Sequence, residues 1–105
     1  MIKSSVETDM PSSPDLAEVA RILKRFLPPE YQAVLFGSRA TGRARSGSDW
    51  DIGLLGPRAL RGATVEHIRE ALEELPTLHT FDVVDLATVP DYFREGALRK
   101  VVKLV

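Results

Sequence analysis

Short apolar runs that stop at glycine turns constrain this chain more than any other feature. Gln32 to Phe36 is such a run, ended by Gly37-Ser38, and it reads as a buried strand leading into a turn. Asp49 to Leu55 alternates polar and apolar residues until Gly56-Pro57 breaks it, which predicts a second strand. Thr80 to Leu86 predicts a third. The segments between them have a different period. From Ser13, with Pro14 suited to the first helical position, Leu16, Val19, Ala20, Leu23 and then Phe26 or Leu27 recur at helical spacing until Pro28-Pro29. Thr64 is expected to cap a second helix running through Leu75, with Val65, Ile68, Leu72 and Leu75 on one face. One helical turn is expected near Arg39 to Thr41, inside a loop that runs from Ser38 to Ser48. Thr88 to Lys100 predicts the last helix, and Val101 to Val105 either extends it or forms an edge strand. The expected fold is α+β: a small mixed sheet with helices packed mainly on one face. Residues 1–12 are polar, with Pro11 and paired serines, and are expected to form a loose arm ahead of a single domain at 13–105.

Composition narrows the chemistry. The chain has 105 residues, is 44% hydrophobic and carries a net charge of -1, as expected of one soluble globular domain. It contains no cysteine, which excludes disulfides, thiolate zinc sites, iron-sulfur clusters and cysteine nucleophiles. Balanced charge argues against bulk nucleic-acid binding. The apolar runs are short and no leader pattern opens the chain, so no membrane association and a cytoplasmic location are expected. The charge is uneven, however. Residues 37–62 hold 5 basic and 2 acidic groups, and also six of the seven glycines. A glycine-rich, basic segment punctuated by two aspartates suits the handling of anions.

The constellation in that segment is Leu35-Phe36-Gly37-Ser38, ten residues, then Asp49-Trp50-Asp51-Ile52. Residues two apart on a strand share a face, so Asp49 and Asp51 aim their carboxylates one way, with Trp50, Ile52 and Leu54 toward the core. Two carboxylates about 7 Å apart at the backbone can converge on two divalent cations roughly 3.5 to 4 Å apart. Oxygen ligands without sulfur favour magnesium or manganese over zinc. Gly37 lets the backbone approach a ligand closely, and the turn amides and the Ser38 hydroxyl can donate to phosphate oxygens. Arg39, Arg43 and Arg45 share the loop with no acid between them and are placed to neutralise a triphosphate. A third carboxylate is expected from Phe81 to Leu86. Asp82 and Asp85 are three apart and face opposite ways on a regular strand. Asp82, inside the strand among apolar neighbours, is the expected partner; Asp85, near Thr88, suits a helix cap.

The segments Gly37-Ser38-Arg39-Ala40-Thr41-Gly42, Ser48-Asp49-Trp50-Asp51-Ile52 and Phe81-Asp82-Val83-Val84-Asp85-Leu86 together resemble the minimal nucleotidyltransferases. These are single-domain members of the DNA polymerase beta-like superfamily, and the resemblance runs from Leu16 to the C-terminus. It implies transfer of a nucleoside monophosphate from a nucleoside triphosphate, with ATP favoured, to a hydroxyl, using two magnesium ions. By position, Asp49 and Asp51 would bind both metals and Asp82 the one beside the attacking hydroxyl. Gly37 and Ser38 would hold the β and γ phosphates, with Arg39 and Arg43 as further nucleotide-binding residues. Many such proteins stand beside a small helical HEPN-domain ribonuclease toxin and act as its antitoxin by adenylylating it. The implied partner is therefore a HEPN-type protein, which would supply the acceptor that one short domain leaves out.

Two other function classes compete with this one. A contact-only antitoxin would neutralise its partner without turnover, although it would have no need of three carboxylates. A small-molecule nucleotidyltransferase of the aminoglycoside-modifying type would need a helical partner to complete the acceptor site. His67 and His79 lack a second histidine at metal spacing and are assigned no function. Trp50, Tyr92 and Phe93 read as packing residues, and the glutamates between Thr64 and Leu75 as a solvated helix face.

Overall fold

The computed structural model describes residues 14–45 and 47–105. The arm expected over residues 1–12 lies outside the described residues. In chain order the elements are α1 (Leu16–Phe26), β1 (Gln32–Phe36), α2 (Ser38–Thr41), β2 (Trp50–Leu55), α3 (Gly62–Glu73), β3 (Phe81–Asp85), α4 (Asp91–Leu98) and β4 (Val102–Lys103). The four strands form one mixed sheet in the order β3-β2-β1-β4. The outer pair β1 and β4 is antiparallel, as is β1 with β2, while β2 and β3 run parallel with α3 as the crossover between them.

Strand alternation divides the sheet into two faces. Ala33, Ile52, Leu54 and Val83 lie on one face and form the core with Val19 and Leu23 of α1 and Val65, Ile68 and Leu72 of α3. The register sets Phe36 opposite Asp51, and Asp51 level with Asp82, on the other face. This is the α+β arrangement that the periodicities predict. The second face is not bare, because Phe93 of α4 meets Phe36 edge-on at 6.1 Å.

The helix starts differ from expectation, for identifiable reasons. Asp15, not Pro14, opens α1: its carboxylate accepts from Ala17 N at 3.0 Å and Glu18 N at 3.3 Å. Helix α3 begins at Gly62, so Thr64 lies in its first turn rather than at its cap. The chain is fixed just ahead of it, where Leu60 N donates to Asp85 Oδ2 at 2.7 Å, and it turns helical at once. Helix α4 begins at Asp91 instead of Thr88. Thr88 closes the turn after β3 through Oγ1 and N, both donating to Asp85 O, and Pro90 then keeps Val89 out of helical geometry. The last residues form an edge strand and do not extend the helix.

Candidate active site

Gly37 follows β1 at φ 74 and ψ -154, a conformation that side chains exclude. It also has no room for one, since a Cβ there would collide with Asp51 Oδ2. The turn backbone and the Asp51 carboxylate are therefore packed face to face. This position requires glycine twice over, for its torsion and for the close approach.

Three aspartates gather on this side of the sheet. Asp51 is half-buried on β2, with Asp82 beside it on β3 and Asp49 just ahead of it in the chain. Burial pushes the Asp51 carboxyl above the usual aspartate range, and the Asp82 and Asp49 charges push it further. Asp49 is steadied by Thr80, whose hydroxyl donates to its Oδ1. Asp85 sits elsewhere. It is buried on the opposite face, where its carboxylate accepts from Leu60 N at 2.7 Å and Ala87 N at 3.0 Å. It pins two loops and does not cap the following helix.

Trp50, between the first two aspartates, is buried. Its indole N–H donates to His79 Nδ1 at 3.2 Å, and the Arg39 guanidinium lies 4.4 Å above its ring. Arg39 also donates through Nη2 to Ser48 O at 2.9 Å, tying the α2 turn to the segment that leads into Asp49. Its guanidinium is thus engaged with the indole and the backbone. Arg43 instead lines a cleft of about 740 Å³ beside Gly37, together with Phe36, Tyr92, Phe93, Arg99 and Lys100. A smaller cavity, about 360 Å³, is lined by Leu72 and Leu75 and by Thr80, Phe81 and Val83 of the segment that carries β3.

The donor set suits a hard divalent cation. It offers carboxylate oxygens with no sulfur, and burial together with the charges of Asp82 and Asp49 disfavours the charged form of Asp51. Among the described residues, the ion pairs of arginine join Glu18, Glu66 and Asp91, and none involves these three aspartates. The acids are neighbours on a face and not a closed cage: no ready-made group of three such side chains is found among the described residues. No helix among them is long and apolar enough to cross a membrane.

Several of these contacts had no signal in the sequence. Thr80 and His79 meet Asp49 and Trp50 only because β3 lies parallel to β2 and Trp50 N donates to Thr80 O. Arg99 and Lys100 read as ordinary basic residues at a helix end until the fold brings that end beside Gly37.

Residues 18–105 match the family described as polymerase beta, nucleotidyltransferase. The chain is 36% identical over 89 residues to a protein of Haemophilus influenzae described as a probable protein adenylyltransferase, MntA, a match covering 85% of this chain and 76% of that one. A chain from a crystal structure of a toxin-antitoxin with AMP-PNP is similar at a TM-score of 0.68 and 21% identity, over 87% of this chain and 73% of that one. A chain from the structure of a tri-AMPylated Shewanella oneidensis HEPN toxin in complex with MNT antitoxin gives a TM-score of 0.60 at 19% identity, over 86% and 68% of the two chains. At such identities the two structural likenesses speak for the fold alone. The family match takes in all four strands, including those that carry the aspartates and lead into the Gly37 turn, and by it the chain belongs to the polymerase beta nucleotidyltransferase family.

Proposed function

We propose that this chain transfers AMP from ATP to a hydroxyl of a partner protein, and that it serves in the cytoplasm as the antitoxin of a small helical HEPN-type toxin. The observation that carries the reading is the juxtaposition of Asp51, Asp82 and the Gly37 turn on one face of the sheet. Its support from relatives is the adenylyltransferase description of the Haemophilus influenzae protein and the AMPylated HEPN toxin in the Shewanella oneidensis complex. The AMP-PNP in the other toxin-antitoxin structure favours ATP as donor.

In this mechanism Asp49 and Asp51 would hold two magnesium ions, and Asp82 would share the one nearer the acceptor; manganese has the same ligand preference. Such ions lower the pKa of an attacking hydroxyl and offset the charge of the departing pyrophosphate. The chain's own contribution is positioning. Gly37 brings backbone against the phosphates, and Ser38 supplies a hydroxyl donor there. Arg39, through Trp50 and Ser48, holds the turn and the aspartate segment together. The acceptor oxygen forms a bond to the α-phosphorus, the bond from that phosphorus to the β-bridging oxygen breaks, pyrophosphate leaves, and the hydroxyl proton passes to solvent.

The test is to incubate the purified chain with labelled ATP, magnesium and a purified HEPN-type partner. Label should appear on the partner and should depend on Asp49 and Asp51. Neutralisation of the partner's ribonuclease activity with no label transferred would establish the contact-only antitoxin instead.

A further inference from the structure

The cleft beside Gly37 has a chemical character that the aspartates do not explain. Its described lining includes three cations, Arg43, Arg99 and Lys100, and no acid. It starts at the residue against which the Asp51 carboxylate is packed. A nucleotide whose α-phosphate lay at the aspartates would pass over Gly37 and enter this cleft with the rest of its phosphates. We infer that the cleft holds the β and γ phosphates of the donor, and that Arg99 and Lys100, at the end of α4, grip them together with Arg43. This inference rests on the nucleotidyltransferase reading and adds to it the residues that recognise the phosphate tail.

The anchoring of their segment makes Arg99 and Lys100 more than surface charge. The link that bears them is pinned at both ends. On one side Arg94 fastens α4, donating to Leu86 O at 2.7 Å and Val89 O at 3.2 Å, while Phe93 packs on Phe36. On the other side β4 pairs with β1, with Val102 opposite Leu35 and Lys103 opposite Val34. The cations are thus presented to the cleft by a short anchored segment, and less side-chain and loop freedom is lost on binding. The aromatic residues do not offer a competing base platform of equal quality. Phe93 is already engaged with Phe36, the rings crossing at 84°, and Tyr92 is 78% exposed. Cations without acids select a polyanion.

The experiment compares AMP-PNP with AMP, in magnesium, by calorimetry on the full chain. Arg99→Ala with Lys100→Ala should weaken AMP-PNP by about tenfold to a hundredfold, on the order of tenfold for each charge-assisted hydrogen bond removed, and leave AMP unchanged. Inorganic pyrophosphate should displace AMP-PNP from the original chain at lower concentration than from the double variant. The charge-preserving pair Arg99→Lys with Lys100→Arg should retain most of the affinity. Equal weakening of AMP and AMP-PNP would overturn the inference, placing the nucleoside in the cleft. So would unchanged binding of both. Failure of the original chain to bind AMP-PNP at all is a different outcome, which would remove the nucleotidyltransferase reading and this inference with it.

Discussion

Asp51 has Asp82 level with it on the neighbouring strand, Asp49 two residues back and the Gly37 turn in front, and its carboxyl lies above the usual aspartate range because of burial and those two charges. A pKa raised by folding means that the folded chain binds the proton more tightly than the unfolded one. Without metal, stability from this group is fully present below the unfolded aspartate pKa, about 3.9, and is lost as pH rises through the raised value. Asp51→Asn should therefore raise the Tm of the metal-free chain at pH 7, and thermal scans should show the gain shrinking toward pH 4. Magnesium should raise the Tm of the original chain and not that of the variant. An equal magnesium shift in both would take Asp51 out of the ligand set. Gly37→Ala acts at the facing residue. A side chain at φ 74 that also strikes Asp51 should cost about 1–3 kcal/mol in urea unfolding, and transfer should fall with it.

Strand β3 carries two aspartates with opposite tasks. Asp82 is exposed and stands beside Asp51; Asp85, three residues on, is buried and holds Leu60 N and Ala87 N. Asp82→Asn should abolish transfer while changing stability by no more than about 0.5 kcal/mol, as an exposed substitution does. Asp85→Ala removes the buried carboxylate that accepts from Leu60 N and Ala87 N and should cost on the order of 1–3 kcal/mol, with transfer retained at a temperature where the variant is folded. The pair of assays separates a ligand from a pin. The three-residue spacing alone was enough to say that the two carboxylates part company. It did not show that Asp85 reaches Leu60, 25 positions away, nor that this bond makes α3 start two residues ahead of its threonine signal. Helix α4 follows the same pattern, since its start depends on the turn that Thr88 closes onto Asp85 O.

At the scale of the molecule, one face of the sheet is buried under α1 and α3 and the other bears the aspartates, partly covered by α4. Ile68 is fully buried between α3 and the sheet, and Ile68→Ala should cost about 2–5 kcal/mol by urea titration. Any loss of transfer in that variant should follow the folded fraction, because Ile68 lies across the sheet from the site. The local elements, and the closeness of the Gly37 turn to Asp51, were legible in the order of residues. They depend on backbone period, on torsions that only glycine adopts and on spacings of a few residues, all of which are written in neighbouring positions. The parallel placement of β3 beside β2 was not legible there, and it brings Thr80 to Asp49 across 31 positions and His79 to Trp50 across 29. The folded chain likewise stacks Arg39 on Trp50 and returns β4 beside β1, which carries Arg99 and Lys100 to the cleft. An exposed threonine, arginine or lysine has the same local signature wherever it sits. Its role follows from long-range strand pairing, which comes into being only when burial of the shared core closes the sheet.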